Sequence, residues 1–206
     1  MPQITPRLAE AFAAIDAANA GDPDHVTIDG RREPAALVHG RRMSETLDRI
    51  CSDATELVRI AARGHHIERW TSPRQTYPAG RIGYLKWRKD LSVFHARRLA
   101  AIMGPLGYSS DEIKRVGALV RKEQLGSDPE AQLIEDASCL VFLAYGLRDF
   151  MAKTEEDKLA RILAKTWRKM SETGRRHALA LDLPAQVHAL LERGLAALGQ
   201  PPATRG

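Results

Sequence analysis

Aromatic side chains are scarce, at 5% of 206 residues, and a chain this poor in them is expected to build helices rather than strands. Cysteine occurs twice, at Cys51 and Cys139. The two share no metal-binding spacing, so a cysteine-ligated zinc module is excluded and both read as reduced packing residues. No apolar run approaches the length of a membrane span. The first twenty residues, MPQITPRLAEAFAAIDAANA, carry an acid and lack the apolar centre of a signal peptide, so the expected location is the cytoplasm. No internal repeat or low-complexity tract is present. A formal charge of +5 permits phosphorylated or nucleic-acid partners without demanding either.

Present instead are five helix-like segments that each place a metal-capable group on an apolar stripe. Ala36, His39, Met43, Leu47 and Ile50 recur at steps of three and four. Ala54, Val58 and Ala61 lead into His65 and His66. Leu91, His95, Leu99 and Ile102 form the third stripe, Ile113, Val116, Val120 and Glu123 the fourth, and Leu133, Asp136 and Leu140 the fifth. This spacing puts side chains on the buried face of an amphipathic helix. Burying imidazoles and carboxylates is costly unless they pair or bind a metal. A lone buried histidine is usually a hydrogen-bonded core residue, and Asp136 read singly suits a helix cap or an arginine pair. Five such groups on five helices suit one divalent centre of Fe, Mn, Zn, Co or Ni.

The local signals give an all-α chain. A helix is expected over 5–20, ended by the turn at Gly21 to Asp24, then a short polar stretch from Thr27 to Pro34 that is extended or irregular. Pro34 would open the helix of His39. Ser52 or Asp53 would cap the next helix, with Glu56 as the far half of a capping box, and that helix would run on into His65 and His66. Residues 69–81 are irregular because of Pro73, Pro78 and Gly80. Further helices are expected over about 82–104, 110–124, 129–150, 154–170 and 184–198, with a short one near 172–180. No β-sheet is expected, and the terminal PPATRG reads as frayed. We expect a single domain over 1–206, with a core at about 35–150 and added C-terminal helices at 154–198.

Residues 68–89 concentrate Arg69, Arg74, Arg81, Lys86, Arg88 and Lys89 with Trp70, Tyr77, Tyr84 and Trp87. Arginine binds phosphate or carboxylate through a planar fork, and aromatic rings stack on bases. Arg69, Arg74, Arg81, Arg88, Trp70 and Tyr77 are therefore the expected substrate contacts. The competing reading is a surface loop with its two tryptophans in the core and its arginines solvated.

The ordered histidines and acids resemble a divergent HD domain, the helical metal-dependent phosphohydrolase superfamily. His39-Gly-Arg-Arg-Met resembles its first-helix motif. Ala61-Ala-Arg-Gly-His-His-Ile resembles the segment with the His-Asp pair, His66 standing where the aspartate belongs. Leu133-Ile-Glu-Asp resembles the closing segment. The resemblance implies His39, His65, His66, His95 and Asp136 as metal ligands, with Glu123 and His66 in catalytic roles. His66 cannot bridge two metals as an aspartate does, which favours one metal or a rearranged site. A second likeness runs through Phe12-Ala-Ala-Ile-Asp, His66-Ile-Glu-Arg-Trp, Gly83-Tyr-Leu-Lys-Trp-Arg and Lys165-Thr-Trp-Arg-Lys-Met. These blocks resemble a family of bacterial and fungal proteins catalogued as a domain of unknown function (DUF4202).

Three functions follow as expectations. The first is a metal-dependent hydrolase of a phosphorylated small molecule or nucleotide. The second is an HD-like iron-dependent oxygenase. The third is a degenerate HD-like binding or regulatory module for nucleotide, RNA or protein. Nucleic acid is the weaker partner expectation, and no membrane partner is expected.

Overall fold

The computed structural model describes residues 4–197 and Gly199. It is 71% helix, with a single two-stranded sheet among the described residues. The chain forms two compact units, Met1–Ile134 and Glu135–Gly206.

In the first unit, α1 (Pro6–Asn19) starts where the Thr5 side chain accepts from the Leu8 amide and proline occupies the first turn. That is the position where a missing N–H costs nothing. Strands β1 (His25–Ile28) and β2 (Arg31–Pro34) then pair antiparallel. Their turn is Asp29 and Gly30 at φ 47° and 78°, the positive pair that a tight hairpin requires. This hairpin corrects the expectation of no sheet. Helix α2 (Ala35–Ile50) carries His39.

Helix α3 (Glu56–Arg63) is capped by Thr55, which accepts from the Val58 amide, rather than by Ser52 or Asp53. It stops at Gly64, so His65 and His66 lie on the turn after the helix and not within it. Two short 3₁₀ turns, Arg69–Thr71 and Arg74–Thr76, occupy the segment read as irregular. Helix α4 (Gly80–Met103) carries His95. Helix α5 (Ser110–Arg121) opens on a complete capping box between Ser109 and Glu112. Helix α6 (Pro129–Val141) carries Asp136.

The first unit's core gathers Leu8, Ile15, Leu47, Ile60, Ile67, Leu99, Met103, Leu119 and Ile134, all almost fully buried. Each such side chain gains about 1.5–3 kcal/mol from leaving water. In the second unit α6 passes through a π-helical turn, Phe142–Gly146, into α7 (Leu147–Met151). Helices α8 (Glu156–Lys169), α9 (Glu172–Leu179) and α10 (Ala185–Ala197) follow. Gly194 lets α10 approach α8 closely, because a Cβ there would fall 2.2 Å from the Ala160 carbonyl oxygen. The PPATRG terminus lies outside the described residues.

Candidate metal centre

Two elements and one turn bring three imidazoles together. Gly40, one residue past His39, allows α2 to reach the end of α3, since a Cβ there would lie 2.8 Å from the Arg63 carbonyl oxygen. Gly64 seats the following turn directly against Leu99, where a Cβ in place of its hydrogen would fall 2.4 Å from Leu99 Cδ2. Arg63 in turn grips Asp16 of α1 with two hydrogen bonds of 2.8 and 2.5 Å. Beyond the histidines the chain turns through Glu68 in the left-handed region at φ 50°, a conformation that needs support from its surroundings. Asn19 Oδ1 accepts from the Glu68 amide at 3.0 Å, and Arg98 forms an ion pair with its carboxylate.

The result is a stack. His65 and His66 have ring centroids 4.2 Å apart, and His39 and His66 are 4.6 Å apart at an interplanar angle of 13°. One nitrogen from each of His39, His65 and His66 lies within 4.8 Å of the others. His95 sits beside them, 5.9 Å from His66 between centroids. Its Nδ1 is 2.7 Å from the Ile67 carbonyl oxygen, and a carbonyl can only accept. Nδ1 therefore carries the proton and Nε2 presents a lone pair, the orientation that a backbone carbonyl imposes on metal-ligating histidines. His95 Nε2, His39 Nε2 and His65 Nδ1 are all buried without a hydrogen-bond partner.

Burial holds all four imidazoles neutral. It pushes His39 down to about 4, with Arg69 and Arg42 adding repulsion. His95 is likewise pushed down to about 4 by burial, against the opposing pull of the Ile67 carbonyl. His65 and His66 lie well below the ordinary histidine range, again chiefly through burial. Neutral nitrogens with free lone pairs are ligands in waiting.

Each of the two acids has partners of its own. Lys122 takes a left-handed conformation and ends α5, so Glu123 leaves the helical stripe. Its carboxylate is half exposed and pairs with Arg121 at 2.6 Å. Asp136 belongs to the second unit, where its oxygens accept from the Ser171 amide at 2.9 Å and the Ser171 hydroxyl at 2.5 Å, at the start of α9.

The arginine and aromatic residues divide sharply. Arg69 lies against the cluster, with Nη1 3.0 Å from His66 Nε2 and 3.4 Å from Nδ1. An atom close to both ring nitrogens sits over the imidazole face, because a bond along one in-plane lone pair would leave the other nitrogen much farther away. Arg69 Cζ is also 4.8 Å from the Trp87 ring centroid. Arg74 donates to the carbonyls of Tyr77, Pro78 and Gly80 and so ties its own loop. Tyr77 donates to Asp90 at 3.1 Å. Arg81 and Arg88 are exposed, Arg88 lying 6.0 Å from the Tyr84 ring, and Trp70 is half-buried near Gly21. Sequence reasoning passed over Trp87 as a site residue. The signal was present: Trp87, Leu91, His95 and Leu99 recur every four residues, which places Trp87 on the face of His95.

A family model described as a domain of unknown function (DUF4202) matches residues 9–191. No curated protein and no solved structure matches the chain.

Proposed function

The chain belongs to the DUF4202 family, and from its own residues we propose a metal-dependent hydrolase acting on a phosphorylated small molecule or nucleotide in the cytoplasm, built on an HD-like helical core. The observation that carries this is the group of neutral imidazoles with buried, unpartnered nitrogens at His39, His65 and His95, stacked around His66. Leaving one such buried atom unsatisfied costs about 1–3 kcal/mol. A divalent ion would use all of them together.

The residues fit the group. His39, His65 and His66 would hold the ion, with His95 Nε2 as a fourth nitrogen. A nitrogen-rich set suits Zn, Fe, Co or Ni better than Mn, which prefers oxygen. One nitrogen from each of His39, His65 and His66, all within 4.8 Å of one another, would hold the ion. When bound, the metal supplies a hydroxide-like water and polarises a phosphoryl oxygen. His66, neutral near pH 7, serves as ligand or proton acceptor and not as an acid. The Ile67 carbonyl orients His95, and Arg69 makes the surroundings cationic. An anionic substrate is the one such surroundings attract.

Elemental analysis of purified protein and phosphate release across a nucleotide panel test the proposal. The expected outcome is about one transition metal per chain and metal-dependent phosphate release. A metal-free, inactive protein that Zn, Fe, Co, Ni and Mn all fail to rescue overturns it. Iron-dependent oxygen uptake without phosphate release would replace hydrolysis by oxygenation at the same cluster.

A further inference from the structure

Of the six residues expected to contact substrate, only Arg69 touches the imidazole cluster, and its environment is unusual for a cation. It is half-buried, lying against the His66 ring and near the Trp87 ring. No carboxylate among the described residues forms an ion pair with it. Elsewhere in the first unit the well-buried guanidiniums are matched: Arg59 binds Asp48 and two carbonyls, and Arg63 binds Asp16. A cation removed from water without a counter-ion is costly unless a ligand brings one.

We propose that Arg69 is the seat of the substrate's anionic group, and that this group is a dianionic terminal phosphate monoester. This rests on the hydrolase reading above, which it narrows. The ligand group within the first unit is nitrogen only, so those ligands would add no negative charge to a divalent ion. With Arg69 beside it the centre would be cationic and would favour the more highly charged anion. A phosphate monoester carries close to two negative charges at neutral pH, whereas a diester carries one. Trp87 keeps the guanidinium in place: its indole N–H donates to the Ser72 carbonyl at 2.9 Å, and its ring lies near Arg69. The planar guanidinium keeps donors free for a two-point grip on phosphate oxygens.

The test uses metal-free protein, inorganic phosphate and dimethyl phosphate at mildly alkaline pH, read by calorimetry and tryptophan fluorescence. Wild type binds phosphate more tightly than the monoanionic dimethyl ester. Arg69→Gln weakens phosphate binding roughly ten- to hundredfold, while metal uptake by elemental analysis stays at the wild-type level. Arg69→Lys keeps the charge without the planar fork and recovers part of the affinity; it also decides the matter should Arg69→Gln fail to fold. The proposal is overturned by a wild type that binds no phosphate, by equal binding of the two anions, or by unchanged phosphate affinity in both variants. A wild type that takes up no metal defeats the hydrolase reading and leaves the anion comparison intact, so the two failures are distinguishable.

Discussion

A neutral imidazole has one N–H and one lone pair, and the residues around it decide which faces the site. At His95 the Ile67 carbonyl makes that choice; at His39 and His65 a buried nitrogen is left with nothing. Removing either ring should therefore damage metal binding far more than it damages the fold. We expect His39→Ala and His65→Ala to lower metal affinity at least tenfold, read by competition with a chromophoric chelator. Glu123→Ala should bind metal like wild type, because that carboxylate is half exposed and paired with Arg121. Asp136→Asn should cost about 1–2 kcal/mol in thermal unfolding, since it loosens a charged cap at the start of α9. Loss of metal in Asp136→Asn with unchanged stability would mean that the aspartate belongs to the centre.

Between elements, the decisive contact is the approach of α2 to the end of α3 at Gly40. A methyl there meets the Arg63 carbonyl oxygen at 2.8 Å, and backbone cannot swing aside as a side chain can. Gly40→Ala should cost about 1–3 kcal/mol and, by pushing His39 away from His65 and His66, weaken metal binding as well. Paired melts with and without metal would check this: the metal-induced rise in melting temperature should shrink in the variant. Most helices were legible because apolar residues recur at three and four along them, and Pro34 stands immediately before the start of α2. What was not legible had local causes. Gly64 ends α3 before the histidine pair, and Lys122 in a left-handed conformation takes Glu123 off its stripe. Asp29-Gly30 signalled the hairpin, but strands of four residues are too short for alternation to declare itself. Of the three stacked histidines, His39 keeps its place on a helical stripe, while His65 and His66 stand on the turn that follows theirs. A cap was one reading of Asp136, but which helix it serves was not legible, because Ser171 lies 35 residues away in the chain.

For the molecule as a whole, four imidazoles buried in the neutral form tie stability to pH. The unfolded chain protonates a histidine near 6.5, whereas His39 and His95 in the folded chain hold out to about 4. Between those values the unfolded state binds more protons, so acid favours unfolding. The contribution is fully present above about 6.5 and is lost as pH falls towards 4, at roughly 1.4 kcal/mol per pH unit for each group. His65 and His66, shifted in the same direction, steepen the decline. Acid unfolding of the metal-free protein, followed by circular dichroism with urea at a series of pH values, should show falling stability across that window. Metal should move the decline to lower pH, because bound ligands resist protonation and the ion stabilises only the folded state. The variant His39→Ala should flatten the slope by about one proton. A metal-free protein equally stable at pH 7 and pH 5 would mean that the rings are hydrated or already paired, and the argument for a nitrogen-lined metal centre would fall with it.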